Sequence, residues 1–257
     1  MWLVTGFIEN AESSTTGRVV AALAPHAGYV YSGPVSGYTF RAIRDGATGD
    51  QRPDTVVVLG FCHGPSFRGV ALMDADTIET PLGACKLDTG AATNLVGSSP
   101  RIRFDNRPHQ GEHSAENQIP FLQVALPGTP LVVALIGDHD SQTMDELTRA
   151  LVALSKEKHL LVIASTDMLH DPDYDKVTRT DRTTLRQLER MDIGGLTGAW
   201  SYEHQVLCGI APVLTVLKYA RAMGCSEGAV LKYGNSGDDH PDSRGSWVVG
   251  YGAVIYR

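Results

Sequence analysis

The sequence predicts a single α/β domain over residues 1–257, with a mostly parallel central sheet flanked by helices. Short apolar, β-branched runs alternate with longer amphipathic stretches, which is typical of repeated strand–helix–strand units. Several of these runs are continuously apolar, as expected of strands that are covered on both faces. We find neither an internal repeat nor a low-complexity linker that would divide the chain.

Six apolar runs are the candidate strands. In chain order they are Val19 to Ala24, Thr55 to Leu59, Leu131 to Ile136, Leu160 to Ala164, Ala229 to Tyr233 and Val248 to Ile255. The segment from Gly69 to Leu87 is interpreted as irregular strands or hairpins. The first 17 residues are not placed in any element, and Ser14 to Gly17 has the composition of a loop.

Three segments are the candidate helices. The clearest follows Ser141, where apolar residues recur at helical spacing and Thr143 and Glu146 are spaced as a capping box. The apolar positions of this helix are Met144, Leu147, Leu151 and Leu154. The others are Thr183 to Met191 and Pro212 to Met223; Pro212 suits a first helical turn and Gly224 suits a C-terminal cap.

Charge and hydropathy narrow the functional classes. The net charge is -7 and the isoelectric point is about 5.7, which argues against a nucleic-acid partner and, more weakly, against an anionic membrane surface. No apolar run approaches the roughly 18 to 20 residues of a membrane-spanning helix. Met1 to Asn10 lacks the basic start and the cleavage site of a secretory signal. We therefore expect a cytoplasmic protein, and a symmetric homodimer is compatible with the sequence.

Three histidines follow candidate strands. His26 comes two residues after the first strand, His63 four residues after the second, and His170 after the strand that ends at Ala164. In open α/β sheets ligands bind beyond the carboxyl ends of the strands, so parallel neighbours would bring these imidazoles to one edge. Imidazole is a common transition-metal ligand at neutral pH. Each histidine alone is more often a loop residue or a hydrogen-bonding group, so the pattern favours a metal site without requiring one.

The four cysteines include two candidate ligands. None of them forms a C-x-x-C pair, and we interpret all four as reduced thiols. Cys208 precedes the Pro212 helix, whose N-terminus would favour a thiolate. The alternative is a small buried apolar residue, which the local sequence alone favours. Cys62, beside His63, is a competing ligand. Cys85 and Cys225 have the character of structural residues.

A second polar cluster runs from His113 to Phe121. If this segment opens a helix, His113 and Glu116 lie near one face, and the glutamate could hold a ligand histidine in one tautomer. The alternative is a helix start with an acidic first turn.

Taken together, these segments resemble the Memo family from about Ala24 to the C-terminus. The longest motifs are Ala24-Pro25-His26-Ala27-Gly28-Tyr29-Val30-Tyr31-Ser32-Gly33 and His113-Ser114-x-Glu116-x-Gln118-x-Pro120-Phe121-Leu122-Gln123. Shorter ones are Leu59-Gly60 followed by His63-Gly64, then Ser165-x-Asp167-x-x-His170, and Cys208-Gly209-x-x-Pro212.

The resemblance carries its own expectations. It implies a fold like that of the class III extradiol dioxygenases, with His26, His63 and Cys208 as metal ligands. It places His170 where those enzymes keep an acid/base histidine. Asp167, His113 and Glu116 would line the same pocket. It also implies partner proteins of the AMMECR and radical-SAM types.

The sequence departs from the family pattern in three places. The segment before His26 is short. Gly60-Phe61-Cys62 replaces the usual Gly-Pro-Asn/Ser before the second histidine. Leu169 and Asp171 replace the usual Ser and Tyr around His170. The last two changes fall at the expected pocket, so the substrate or the activity can differ from that of relatives.

Three functions remain open from the sequence. The leading hypothesis is a dioxygenase-like redox protein that holds Fe(II), with Cu or Zn as alternatives because a thiolate is a softer ligand than a carboxylate. The second is a non-catalytic adaptor that binds a peptide in the same crevice, where the redox protein would bind a small molecule. The third is a zinc hydrolase with Glu116 or Asp167 as the base, although no H-E-x-x-H signature is present.

Overall fold

The computed structural model describes residues 2–12 and 17–257. The helices are α1 Trp2–Asn10, α2 Tyr29–Gly46, α3 Thr89–Ser98, α4 Ile119–Ala125, α5 Ser141–Leu154, α6 Tyr174–Glu189, α7 Ile193–Ala199, α8 Ile210–Ala222 and α9 Ser236–Asp239. The strands are β1 Ala21–Ala24, β2 Thr55–Phe61, β3 Val70–Leu72, β4 Thr77–Thr80, β5 Gly83–Lys86, β6 Ile102–Phe104, β7 Leu131–Ile136, β8 Leu160–Ser165, β9 His170–Asp171, β10 Gly228–Asn235 and β11 Val248–Tyr256. Except for Gly17, the loop expected at Ser14 to Gly17 lies outside the described residues.

The main sheet has the strand order β10-β11-β1-β8-β2-β7-β3-β6. Its centre, β1-β8-β2-β7, is parallel. β11 adds antiparallel to β1, and β3 adds antiparallel to β7. The expected mostly parallel sheet flanked by helices is therefore confirmed. All six candidate strands form, and residues 69–87 contain β3 and the antiparallel β4–β5 hairpin, as expected.

Apolar residues bury both faces of the central strands. On β2, Val57 and Leu59 face one cluster, and Val56 and Val58 face the other; all four side chains are buried. Helices α3, α5 and α8 cover the first face, and α1, α2 and α4 cover the second. A strand covered on both faces leaves no space for polar chemistry, so such chemistry is confined to the loops at the strand ends. No helix in the described ranges has both the length and the apolar character needed to cross a bilayer.

The helix expected after Ser141 forms, but its expected capping box does not. The helix begins at Ser141, so the capping residue is Asp140, whose carboxylate accepts the N–H of Gln142 at 3.0 Å. Thr143 is already inside the first turn and donates its hydroxyl to Asp138 at 3.2 Å. The carboxylate of Glu146 binds Ser99. The box prediction was wrong because an aspartate one turn earlier supplies the cap.

The other two helix predictions differ in accuracy. Helix α6 starts at Tyr174, well before the expected Thr183. Asp173 caps this start by accepting the N–H of Lys176 at 2.9 Å. The first half of the helix is polar, so apolar periodicity does not reveal it. Helix α8 has Pro212 in its first turn. It is followed by Gly224 at φ +95°, the left-handed conformation that favours glycine after a helix.

Candidate metal centre

The loops after β1, β2 and β8 meet at the carboxyl edge of the sheet. His26 and His63 each lie two residues beyond their strands. Cys208 lies just before α8 and reaches the β8 loop, where its Sγ accepts the N–H of Asp167 at 3.2 Å. One ligand atom from each of His26, His63 and Cys208 lies within 4.8 Å of the other two. The fold thus brings together the three residues expected as ligands, in a group that could hold a metal ion.

The buried hydrogen bonds of Ser165 determine the tautomer of His26. The Ser165 hydroxyl donates its single hydrogen to the carbonyl of Ser114 and accepts an N–H from Gln118 at 2.8 Å. It also lies 3.1 Å from Nδ1 of His26. Because the hydroxyl hydrogen is already used, Nδ1 must donate. The bare lone pair of His26 is therefore on Nε2, which lies 3.4 Å from Sγ of Cys208.

A buried carboxylate fixes His63 in the same way. Nδ1 of His63 lies 3.0 Å from Oε1 of Glu112, so it donates to the carboxylate and leaves Nε2 free. Glu112 also accepts the backbone N–H of His63 at 2.6 Å and of Ser114 at 2.8 Å. Burial opposes ionisation of Glu112, but these hydrogen bonds outweigh it and lower its pKa to about 2. The same carboxylate raises the pKa of His63.

Glu112 was missed at the sequence level, and Glu116 was expected in its place. Glu116 lies in a 3-10 turn, Glu116–Gln118, and is exposed; within residues 2–12 and 17–257 no hydrogen bond or ion pair of its side chain is found. His113 is not on a helix face with Glu116 either, because it precedes that turn. Glu112 carries a weak signal, since it adjoins His113 in the chain. Gln118, which belongs to the family motif, donates its side-chain amide to the hydroxyl of Ser165.

His113 lies beside the two ligand histidines. Its ring stacks on that of His63, with centroids 5.1 Å apart and planes at 18°, and meets His26 edge-on at 5.5 Å. Its side chain is half-exposed. Gly60 allows this segment to lie against β2, because a Cβ there would be 2.6 Å from Oγ of Ser114 and 2.9 Å from the nitrogen of Ala115. Only a residue without a side chain leaves this space.

Asp167 holds the loop that carries His26 in place through hydrogen bonds to its backbone. Its Oδ1 accepts the backbone N–H groups of His26 at 2.8 Å and Ala27 at 3.2 Å. Its Oδ2 lies 3.9 Å from Nε2 of His26. The aspartate is buried, and its carboxyl group lies next to the three-ligand group. The parts that Asp167 and Glu116 take in catalysis stay predictions.

Without a bound cation, the surroundings of Cys208 favour the protonated thiol over the thiolate. Burial and the neighbouring charge of Asp167 raise the pKa of Cys208 to about 12. The lowered pKa expected from a helix N-terminus is therefore wrong: helix α8 begins two residues later, and desolvation dominates. Cys62, the competing candidate, is outside the His26–His63–Cys208 group; its Sγ lies 3.8 Å from the carbonyl of Pro65, and burial raises its pKa.

The donor set fits a transition-metal ion. The neutral imidazole of His26 presents its Nε2 lone pair, and a bound cation would displace any proton from Nε2 of His63, whose pKa is raised, and from the neighbouring Cys208 thiol. Each imidazole is fixed from behind by an oxygen acceptor, as metal-binding histidines usually are. Burial lowers the pKa of His26, which keeps that ring neutral.

His170 is not part of the His26–His63–Cys208 group. It is on β9, which pairs with β11, and it lines a cavity of about 340 Å³ together with Cys208 and Trp247. Burial lowers the pKa of His170, and its Nε2 is buried without a hydrogen-bond partner in the described part of the chain. The preceding Leu169 donates its N–H to Asp181 at 3.1 Å, and burial raises the pKa of that aspartate to about 7.

Two larger cavities flank His63, each of about 710 Å³. They share a wall formed by Cys62, His63, Gly64, Ser66 and Phe67. The first extends toward Arg103, Arg107 and His113, and the second toward His139 and Tyr202. The His26–His63–Cys208 group is therefore bordered by the two larger cavities at His63 and by the smaller cavity at Cys208.

Fold and site together define a class: an α/β protein with a His/His/Cys group, able to hold one metal ion, at the carboxyl edge of a mostly parallel sheet. The family model described as Memo-like protein matches residues 3–255, and the chain belongs to this family. A MEMO1 family protein of Methanopyrus kandleri is 36% identical over 241 residues, covering 91% of this chain and 82% of the relative. One of Methanothermobacter thermautotrophicus is 33% identical over 236 residues, covering 91% and 83%.

The fold also matches a solved structure. An uncharacterized protein from Escherichia coli K12 aligns with a TM-score of 0.56 and 17% identity, covering 92% of this chain and 99% of that one. At this identity the likeness concerns the fold.

Proposed function

We propose that this protein is a metal-dependent oxidoreductase of the dioxygenase type, with iron as the first candidate ion. The observation that carries the proposal is the fixed tautomer of both imidazoles. Ser165 and Glu112 hold Nδ1 of His26 and His63, so that both Nε2 lone pairs are free beside Cys208. Three protein ligands leave coordination positions open for a substrate and for dioxygen.

The donor types bias the choice of metal. Two histidines and one carboxylate are the usual Fe(II) ligands in oxygen chemistry, whereas the thiolate that Cys208 would supply shifts the preference toward copper or zinc. A zinc hydrolase is the weaker alternative, because Glu116 is exposed and Oδ1 of Asp167 is engaged by two backbone N–H groups. A redox ion at this centre would supply electron transfer to dioxygen and polarisation of a bound substrate.

The chain's own residues would bind and deprotonate the substrate. The 340 Å³ cavity between His170 and Cys208 accommodates a small molecule, and the Trp247 ring, 6.1 Å from His170 and perpendicular to it, offers an aromatic wall. The lowered pKa of His170 keeps the imidazole neutral at physiological pH. Its Nε2 is buried and has no hydrogen-bond partner in the described part of the chain, so it would accept the proton of a substrate hydroxyl that reaches it. Asp167 and Glu112 hold the two histidine loops in place during this step.

Elemental analysis tests the metal. The protein is purified without oxygen beside His63→Ala and a control, His159→Ala, in which an exposed histidine elsewhere is removed. We expect close to one iron ion per chain in the wild type and the control, and little in His63→Ala. Uptake of dioxygen with catechol-type compounds then tests the reaction. Copper or zinc in place of iron would contradict the iron assignment, and absence of metal from all three would overturn the proposal.

A peptide-binding adaptor is the second candidate, and the two 710 Å³ cavities favour it. They share the wall formed by residues 62–64, 66 and 67, so together they offer more volume than the roughly 300 to 1,000 Å³ of a usual small-molecule pocket. In this case His63→Ala would retain peptide binding while losing metal. Partner proteins of the AMMECR and radical-SAM types, the cytoplasmic location and the homodimer stay predictions.

A further inference from the structure

A second group of ligand atoms overlaps the first. One atom from each of His63, Glu112 and His113 lies within 4.8 Å of the other two. His63 belongs to this group and also to the group with His26 and Cys208. The two groups therefore describe two neighbouring positions for a cation, which share one imidazole.

The three histidines become more exposed from the inner group to the outer one. The His26 side chain is 2% exposed, that of His63 is 37% exposed and that of His113 is 53% exposed. His63 and His113 both line the 710 Å³ cavity that is open to solvent. An ion arriving through this cavity meets His113 before it can reach His26.

The inner position is difficult to reach directly. His26 is buried, and its Nε2 is covered by Sγ of Cys208 at 3.4 Å. A hydrated ion must exchange water for protein ligands before it enters this space, because a bare cation is strongly disfavoured away from water. The Glu112 carboxylate, 3.7 Å from Nδ1 of His113 and 3.0 Å from Nδ1 of His63, supplies negative charge at the point of exchange.

We propose that His63, Glu112 and His113 form an outer cation site, from which a divalent ion passes to the inner site at His26, His63 and Cys208. The ion keeps Nε2 of His63 as a ligand during the transfer, and its bonds to Glu112 and His113 are replaced by bonds to His26 and Cys208. The Cys208 thiol loses its proton to water as the metal–sulfur bond forms, so charge is balanced. The inference rests on the proposed function insofar as the inner site is the destination.

Cobalt(II) is the probe, because a cobalt–thiolate bond absorbs in the near ultraviolet and the inner group contains a cysteine, whereas the outer group does not. Rapid mixing of metal-free protein with Co²⁺ measures how fast this band grows. We expect His113→Gln to slow the growth about 10-fold or more, while the final band and the equilibrium affinity for the inner site change little. The matched control is His204→Gln, since His204 is an exposed histidine at the other cavity that reaches Cys208.

A Cys208→Ser variant isolates the outer site. It removes the thiolate, so the bound Co²⁺ that remains is measured by equilibrium dialysis. Adding His113→Gln should weaken the remaining binding about 10-fold or more, whereas adding His204→Gln should not. Equal affinity of Cys208→Ser with and without His113→Gln would overturn the outer site.

The outcomes separate the two proposals. A thiolate band that grows equally fast in wild type and His113→Gln would refute the outer site while supporting the inner one. Slowing in His204→Gln instead would place the route at the other cavity. No thiolate band in wild type, with Co²⁺ binding that depends on His113, would retain the outer site and refute the inner one.

Discussion

The hydroxyl of Ser165 accepts a hydrogen bond from Nδ1 of His26 over 3.1 Å and gives its own hydrogen to a backbone carbonyl. A serine on a buried strand thereby decides which nitrogen of a histidine faces the site. Positioning groups of this kind commonly change metal affinity by 10- to 100-fold.

Ser165→Ala should bind metal about 10-fold more weakly, because the ring of His26 loses the acceptor that fixes its tautomer. It should also lower the free energy of unfolding by about 1 to 3 kcal/mol, since the side-chain amide of Gln118 and the carbonyl of Ser114 lose a buried partner. Cobalt titration and denaturant unfolding measure the two effects. The control is Thr39→Val, which removes another buried hydroxyl, bonded to Leu23, and should lower stability without changing metal affinity.

Glu112→Gln should destabilise the metal-free protein on the order of 1 to 2 kcal/mol, and by an amount that depends on pH. The Glu112 pKa falls from 4.5 to about 2, so its contribution is complete above pH 4.5 and disappears as pH falls toward 2. The His63 pKa is raised from 6.5, so the stabilisation from the ion pair between His63 and Glu112 is complete below pH 6.5 and disappears as pH rises through the raised pKa. Denaturant unfolding from pH 2.5 to 9 should therefore show the largest difference between pH 4.5 and 6.5. An equal loss in the exposed variant Glu116→Gln would contradict this explanation.

Metal binding should release about one proton from Cys208. Its pKa is raised to about 12 by burial and by Asp167, so the free protein holds a thiol, and the bound ion requires a thiolate. Cobalt affinity should then rise about tenfold per pH unit between pH 7.5 and 9. Affinity that is independent of pH would show that the sulfur is not a ligand. In Cys208→Ser both the proton release and the thiolate band should disappear.

Asp181→Asn should stabilise the protein at pH 8. The Asp181 pKa is raised by burial from 3.8 to about 7, so the folded state holds its proton more tightly than the unfolded chain. The contribution of Asp181 to the free energy of unfolding is therefore most favourable below pH 3.8 and becomes steadily less favourable as pH rises through 7. The amide removes that loss, which is on the order of 2 to 4 kcal/mol at pH 8. Thermal unfolding at pH 5 and pH 8 measures it, with Asp175→Asn, exposed on the same helix, as the control.

Strands were more predictable than helices here because apolar β-branched runs signal burial directly. Helix α2 was missed, since Tyr29–Gly46 contains Pro34 and several glycines, which normally end a helix. In the structure Gly33 and Gly37 lie against Phe7 of α1, where a Cβ would be closer than 3 Å. The close packing of α1 against α2 thus requires glycine at positions in α2 where the local sequence argues against a helix.

The sequence predicts only those residues of the candidate site that directly follow a candidate strand. His26 and His63 could be placed by the strand-end rule, but Cys208 entered through the family resemblance, because a lone cysteine before a helix has no distinctive pattern. Glu112 and Gln118 could not be placed, since their roles depend on which loops meet across the sheet. Long-range contacts of this kind have no periodicity along the chain.

The strand order β1-β8-β2 has a consequence for when the protein can take up a metal ion. The loops bearing His26 and His63 flank the end of β8, and Cys208 arrives only when α8 packs on the same strands. These contacts are distant in sequence, so they are among the costlier ones to form during folding. An unfinished or misfolded chain lacks the complete set of ligands. An ion that needs all three ligands would therefore be held only by molecules whose core is already closed.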